Sequence, residues 1–152
     1  MPPSSPLAAL PSPSPTDALL TTIASCSSEG VRALLDSNAS PNGLSACLGF
    51  PATPLIIASA LGQTEVASLL LRAGASVREA PHMGATALHA ACGQEGNASL
   101  VSLLLEQRAD VNARDGIGCT PLYCACLEAK PDCTKALLEA QACKSFTPHD
   151  DC

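Results

Sequence analysis

Nine cysteines and three histidines are the side chains of this 152-residue sequence that could bind a metal or act as nucleophiles. Structural zinc sites usually take paired ligands, commonly with a CxxC spacing. The group Cys119, Cys124, Cys126 and Cys133 contains no such pair. We therefore expect no metal and no cofactor, and we interpret these cysteines as small packing residues. A thiol-based redox or metal sensor is the alternative that the cysteine count leaves open.

Hydrolytic chemistry has no supporting motif. The sequence contains no GxSxG, no HExxH and no phosphate loop, and no two carboxylates stand out as an acid and base pair. His89 is expected to bond to the region of Thr86 and to a neighbouring hairpin, while His82 and His149 fall in a loop and in the tail. The sequence thus predicts a protein that is not an enzyme.

The charge balance narrows the partners. Eight Lys and Arg residues stand against 14 Asp and Glu residues, which gives a net charge of −6. Because the basic residues are scattered singly, phosphate contacts have no source and nucleic-acid binding is not expected. The first residues lack the basic segment and the apolar run that are typical of a signal peptide. No apolar stretch reaches the roughly 18 residues that a membrane span needs. We expect a cytoplasmic protein that does not bind membranes, with a nuclear location as the alternative.

Residues 1–15 differ in composition from the rest of the chain, with six Pro and four Ser. Proline removes backbone donors and fixes φ, so we expect a disordered, extended leader without helix or strand. The PxxP spacing from Pro3 to Pro6 leaves docking to an SH3 or WW module as an alternative.

The remainder of the chain repeats with a period of about 33 residues. Thr53 and Thr86 are 33 residues apart, and Thr86 and Thr120 are 34 apart. The extra residue is placed between Cys92 and Leu100, where a loop can absorb it. The repetition predicts stacked copies of one structural unit.

Each unit predicts two short helices. The Thr caps the first helix, and Pro54 and Pro121 occupy its first position, where the missing N–H costs nothing. Turns at Gly62, Gly96 and Pro131 separate the two helices. The second helix ends at Gly74 in the left-handed conformation. Arg108 and Gln141 take this place in the later units, at an expected cost of about 1–2 kcal/mol each.

Several strings in register resemble the ankyrin-repeat family: TPL at 53–55, LLLRAGASV at 69–77, TALHAA at 86–91 and ADVNARDGIGCTPL at 109–122. An earlier, divergent unit has Asp17 in the capping position and Asn38 in the Gly position. The resemblance implies an all-α fold, a solenoid of helix-turn-helix units joined by β-hairpin loops. Its expected divisions are a repeat domain at 16–143, made of a cap repeat at 16–47 and repeats at 51–83, 84–117 and 118–143, and a short tail at 144–152.

The resemblance also implies a protein–protein interaction module, a scaffold or adaptor, that binds through a concave face of hairpin tips and first helices. The variable positions, expected to face water, are Phe50, Ala52, Ala60, Leu61, His82, Met83, Ala85, Gln94, Ile117, Cys119, Leu127 and Glu128. The large apolar members of this set could form a stripe that anchors a partner protein. In the alternative interpretation the 42–52 loop folds back and Phe50 covers the core.

The segment TPLYCACLEAKPDCTKALLEA from Thr120 is similar to units of ankyrin-and-SOCS-box proteins, which are substrate receptors of cullin-type ubiquitin ligases. Those proteins end in a helical box that binds elongin, and no such box is expected in residues 144–152. The alternative function is therefore a truncated or divergent substrate-recognition subunit. Ligase components would be partners only of a longer form that carries the box.

Asn112 is a candidate modification site. Asp110 lies two residues before it and Leu104 eight before it, a spacing similar to the acceptor site of an asparaginyl hydroxylase in ankyrin proteins. The alternative is that Asn112 only caps its hairpin.

The last unit is expected to expose Leu137 and Leu138, because no further helix pair is expected to cover its flank. The end of a solenoid normally carries polar residues or is covered. We therefore predict a marginally stable domain that associates or belongs to a longer protein.

Overall fold

The computed structural model describes residues 14–45, 49–93 and 97–140. These residues form eight short helices and no extended strand, which confirms the all-α fold. The helices are α1 (Pro15–Ala24), α2 (Ser28–Asp36), α3 (Pro54–Ala60), α4 (Thr64–Arg72), α5 (Ala87–Cys92), α6 (Ala98–Glu106), α7 (Pro121–Leu127) and α8 (Pro131–Glu139). No helix among the described residues has the length and apolar character needed to cross a membrane.

The helices are arranged as four stacked pairs. Within each pair the two helices pack on each other, α1 on α2 and so on to α7 on α8. Between pairs, first helices pack on first helices and second helices on second helices. The core between them is aliphatic, as expected from a sequence without tryptophan. Its largest fully buried side chains include Leu19, Ile23, Leu55, Leu70, Leu88, Leu100, Leu104 and Leu137.

Hydroxyl side chains cap the first helices. The Thr53 hydroxyl accepts a hydrogen bond from Ile56 N–H at 3.3 Å, and the Thr120 hydroxyl does the same for Tyr123 N–H at 3.3 Å. The expected cap at Asp17 is wrong, because Ser14 caps α1 and accepts from Asp17 N–H at 3.1 Å. Helix α1 therefore begins within the segment assigned to the leader.

Proline explains that early start. Pro15 is the first residue of α1, where the absent N–H has no intrahelical partner to lose. Pro131 is likewise the first residue of α8 rather than part of the turn before it. The other proline-rich residues, 1–13, lie outside the described residues, and with them the expectation for the leader.

Left-handed residues end the second helices at one repeated position. Asn38, Gly74 and Arg108 have φ of 71°, 94° and 63°. The predicted left-handed arginine is thus confirmed, and its cost is about 1 kcal/mol relative to glycine. Gln141, the fourth residue of this series, and the turn glycine Gly96 lie outside the described residues.

Turns rather than long hairpin strands connect the pairs. Ser45 and Ala52 form an antiparallel bridge through two N–H···O bonds of 3.2 and 3.1 Å. In the last connection, Asp115 N–H donates to the Cys119 carbonyl at 3.0 Å. The loop expected to absorb an extra residue includes 94–96, which lie outside the described residues.

Leu137 corrects one expectation about the last unit. It is fully buried against the core, whereas its neighbour Leu138 is 40% exposed. The two side chains differ because successive helical residues are about 100° apart, so that only Leu137 points toward the preceding pair.

Candidate functional site

His89 links two helix pairs through hydrogen bonds at both of its ring nitrogens. Its Nδ1 lies 3.2 Å from Thr86 N and 2.9 Å from the Thr86 hydroxyl, which closes a capping box at the start of α5. Since Thr86 N–H donates to Nδ1, the ring proton sits on Nε2 and is donated to the Cys119 carbonyl at 2.9 Å. Both ring nitrogens are used, as the sequence predicts, and the buried ring holds the next hairpin in place.

Asp17 makes the equivalent link in the first pair, and the sequence interpretation missed it. Its two carboxylate oxygens accept hydrogen bonds from the Ser14 hydroxyl at 2.8 Å and the Ser45 hydroxyl at 2.7 Å. Ser14 and Asp17 thus take the positions of Thr86 and His89 in the first helix of their pair. The signal was available as a hydroxyl residue followed three positions later by a residue that can accept hydrogen bonds.

The hairpin between α4 and α5 carries an exposed methionine in a rare backbone conformation. Ala85 N–H donates to the His82 carbonyl at 3.1 Å, and the two central residues of this turn, Met83 and Gly84, have φ of 47° and 70°. Such turns favour Asn or Gly at both central positions. This turn instead has Met83 at its first central position, with a thioether side chain that is 61% exposed.

The next hairpin is closed by an aspartate. The Asp115 carboxylate accepts from Ile117 N–H at 3.1 Å and from Cys119 N–H at 2.8 Å. Ile117, at the tip, is 70% exposed. Because the backbone fixes the turn from both sides, the Ile117 side chain is held outward without packing on the core.

These two hairpins touch each other. Gly116 N–H donates to the Met83 carbonyl, and a Cβ on Gly84 would lie 3.3 Å from the backbone of Asp115. Glycine at Gly84 and Gly116 allows this close approach. Met83 and Ile117 are therefore neighbours on one edge of the stack.

Phe50 extends the same edge. Its ring centroid lies 4.9 Å from that of His82, with the ring planes inclined by 30°. Phe50 is 37% exposed, so that it contacts the next hairpin and still presents part of its ring to solvent. We call Phe50, His82, Met83 and Ile117 the hairpin-tip surface.

The structure distributes the other predicted contact residues differently. Ala52 is wrong as a water-facing residue: it is 1% exposed, because its backbone bridge to Ser45 turns the methyl group into the core. Ala85 and Cys119 are half-buried at the bases of their hairpins. Gln94 lies outside the described residues.

The remaining residues of the predicted set lie at the far ends of first helices. Leu61 and Leu127 are 45% and 66% exposed, Glu128 is exposed, and Ala60 is half-buried. Seven helical residues separate the start and end of α3 and of α7, or about 10 Å. These side chains therefore form a second exposed group at one helix length from the hairpin-tip surface.

The described cysteines divide by burial. Cys92 and Cys133 are fully buried, as predicted for packing residues, and Cys124 is half-buried. Cys126 is wrong as an inward residue, since it is exposed on the side of α7 where no helix pair follows among the described residues. Cys92 occupies the same position one unit earlier and is covered there.

Burial keeps the inner thiols protonated. It raises the pKa of Cys124 to about 11 and the pKa of Cys92 well above its ordinary value. A protonated thiol is neither a metal ligand nor a nucleophile. In the parts of the chain that the structure describes, no three His, Cys, Asp or Glu side chains converge as a metal site requires.

Asn112 lies exposed in the turn after α6. Its backbone N–H donates to the Asp110 carboxylate at 3.0 Å, a local bond typical of a hairpin turn. Leu104, the residue eight positions earlier, is fully buried. The geometry is that of the hairpin role, and the modification stays a hypothesis.

Comparison with known families agrees with this architecture. A family model described as ankyrin repeats in three copies matches residues 19–115 and 79–148. The two matches together run through all four helix pairs. No curated protein matches the chain.

Proposed function

Since the chain belongs to the ankyrin-repeat family, whose domains are generally non-enzymatic protein–protein interaction modules, we propose that it is a recognition module that binds a partner protein through the hairpin-tip surface. Phe50, Met83 and Ile117 would supply the apolar contacts, and His82 would hold the Phe50 ring. The exposed first-helix ends, with Leu61 and Leu127, would widen the contact along the concave face.

The observation that carries this proposal is the exposure of three large apolar side chains on neighbouring hairpins. Met83 is 61% exposed and Ile117 is 70% exposed, although neither stabilises the core from that position. Protein interfaces depend on a few such side chains, which lose their contact with water when the partner covers them. The contacts between the hairpins hold these residues in one arrangement before binding, which lowers the entropy lost on association.

The backbone at Met83 supports the same conclusion. A left-handed φ costs a residue with a Cβ about 1 kcal/mol relative to glycine. Folding gains little packing in return, because the thioether side chain is 61% exposed. A flexible, polarisable methionine at a hairpin tip suits contact with a partner.

Capture from a cell lysate on immobilised protein tests the proposal. The variant Phe50→Ala/Met83→Asn/Ile117→Ser removes the apolar contacts of the hairpin-tip surface. The matched control, Leu44→Ser, removes a leucine that is 58% exposed and lies outside the hairpin-tip surface. Helical circular dichroism and the unfolding midpoint are measured for each protein.

We expect one discrete protein to bind the wild-type chain and the control, and to be depleted at least about tenfold with the hairpin-tip variant. Equal capture by both folded variants would overturn the placement of the site. Testing Leu61→Ser separately shows whether the first-helix ends take part.

The ligase alternative rests on the similarity of residues 120–140 to ankyrin-and-SOCS-box units, whereas the matched family model is that of ankyrin repeats in general. It makes a different prediction in the same experiment. Elongin or cullin subunits would be captured, and their binding would survive the hairpin-tip substitutions. Their absence would favour the recognition module alone. We propose that this module acts in the cytoplasm.

The candidate modification at Asn112 has a direct test. Intact mass is measured after incubation of the chain with an ankyrin-directed asparaginyl hydroxylase, beside Asn112→Ala. One added oxygen in the wild-type chain alone would establish the site, and an unchanged mass would leave Asn112 with its role in the hairpin turn.

A further inference from the structure

The outer face of the last helix pair contains an apolar hollow. It has a volume of about 650 Å³ and lies between α7 and α8. Its apolar lining comes from Ala125, Cys126, Ala129, Pro131 and Leu138. The hollow shares no residue with the hairpin-tip surface.

Equivalent residues in the inner pairs show what such a face accommodates. Cys126 is exposed, whereas Cys92 and Ser59 at the same position are 0% and 2% exposed. Leu138 is 40% exposed, whereas Leu105 is packed against the core. In each inner pair the following two helices provide this cover. The face of α7 and α8 therefore has the shape to receive another pair of helices.

The charges around the hollow are self-complementary. Lys130, Lys135 and Glu139 line it, and the last two carry opposite charges one helical turn apart on α8. Their side chains approach to 3.9 Å within α8 while remaining 76% and 69% exposed, so this pair contributes little by itself and both groups are available to an approaching surface. A face that carries both signs on one helix can pair with a copy of itself when the two helices run antiparallel.

The opposite end of the stack does not match this face. Helices α1 and α2 of the first pair expose mainly polar side chains, among them Thr21, Ser25 and Glu29. The hydroxyls of Thr21 and Ser25 donate to carbonyls of their own helix, which leaves a polar end without a need for cover. Head-to-tail stacking would place this polar end on the apolar hollow and is therefore disfavoured.

We propose that the α7–α8 face is a homodimer interface, in which two copies of the chain pack their last helix pairs on each other around a two-fold axis. Antiparallel packing of α8 on α8 places Lys135 of each copy level with Glu139 of the other. Leu138 and Cys126 of both copies fill the two hollows. The dimer leaves the hairpin-tip surfaces free, so each copy retains its own partner site.

Sedimentation equilibrium tests the dimer with reduced full-length protein at concentrations from about 1 to about 200 µM, a range that detects weak homodimers. We expect a monomer–dimer equilibrium. Leu138→Glu places a charge in the interface and should raise the dissociation constant at least about tenfold. The matched control Leu44→Glu, on the first hairpin, should leave it unchanged.

Charge exchange tests the two-fold arrangement itself. Lys135→Glu and Glu139→Lys should each weaken the dimer, because each single change brings like charges together across the axis. The double variant Lys135→Glu/Glu139→Lys restores opposite charges and should recover the wild-type dissociation constant. This series does not depend on the folding of Leu138→Glu.

A monomer throughout the concentration range would overturn the proposal, as would open-ended association into higher oligomers. Failure of the double variant to recover dimerisation would overturn the two-fold geometry. Loss of dimerisation in Leu44→Glu would show that the contact lies elsewhere.

Discussion

His89 Nε2 lies 2.9 Å from the carbonyl oxygen of Cys119, so that a side chain in the third helix pair holds the hairpin leading into the fourth. The same relationship recurs between Asp17 and Ser45, where a carboxylate oxygen and a hydroxyl are 2.7 Å apart. Each bond joins the first turn of a helix to the connection that follows its pair. The helices thereby fix the hairpins, which accounts for the well-defined positions of the side chains at the hairpin tips.

Replacement of His89 should weaken this coupling. His89→Ala removes the acceptor of Thr86 N–H and the donor to Cys119, and both backbone groups lie at a largely buried site. We expect a loss of about 2–3 kcal/mol in the free energy of unfolding, measured by urea denaturation. His82→Ala, which changes an exposed ring, serves as the control. A loss below about 0.5 kcal/mol in His89→Ala would contradict the linking role.

Ser59 offers a stabilising change. Its hydroxyl oxygen is buried and has no hydrogen-bond partner among the described residues. Ser59→Ala removes this unpaired group and should raise the free energy of unfolding by about 1 kcal/mol. Ser45→Ala is the informative contrast, since it removes a hydroxyl that does bond, to Asp17, and should destabilise the fold by a similar amount. A change of the same sign in the free energy of unfolding of both variants would refute the distinction.

The raised pKa of Cys124 predicts that the free energy of unfolding depends on pH in the alkaline range. Burial, with the acidic groups around it, raises the pKa of this thiol from 9.0 to about 11. Above pH 9 the unfolded chain therefore loses the proton more readily than the folded chain, and stability falls as pH rises through the folded pKa. We expect Cys124 to account for about 1 kcal/mol of the decrease between about pH 8 and pH 11, given its partial exposure to solvent.

The measurement is the free energy of unfolding at both pH values under reducing conditions. Cys124→Ala is the control, because it lacks the titrating group while other residues titrate as before. The variant should show a smaller decrease with pH than the wild-type chain. Identical slopes would exclude the contribution of Cys124.

The repeat register predicted those features that depend on a residue's place within its own unit. Arg108 occupies the position of Gly74, so its left-handed backbone followed from counting along the chain. The bonds of His89 to Thr86 and Cys119 followed in the same way. Local caps and stops depend on a few neighbouring residues, and the sequence displays these directly.

Burial at the ends and edges of the stack depends on neighbours that the register does not supply. Cys92 and Cys126 have the same place in their units, yet only Cys92 is covered by a following pair. Ala52 turns inward because of its bridge to Ser45. The choice of Ser14 over Asp17 as the first cap was also open, since both residue types cap helices.

Substitutions of Met83 and Arg108 should separate effects on partner binding from effects on folding stability. Both are exposed residues with left-handed φ, 47° and 63°, but only Met83 belongs to the hairpin-tip surface. Met83→Asn and Arg108→Gly each relieve this backbone conformation, so each should raise the free energy of unfolding by about 0.5–1 kcal/mol. The two effects are measured by urea denaturation of the single variants.

Partner capture should then distinguish the two variants. Met83→Asn is expected to bind the captured partner at least about fivefold more weakly despite its greater stability, because the thioether contact is lost. Arg108→Gly should gain stability and bind as the wild-type chain does. A stabilised Met83→Asn variant with unchanged binding would show that Met83 contributes nothing to recognition, and the hairpin-tip surface would then have to be built on Phe50 and Ile117 alone.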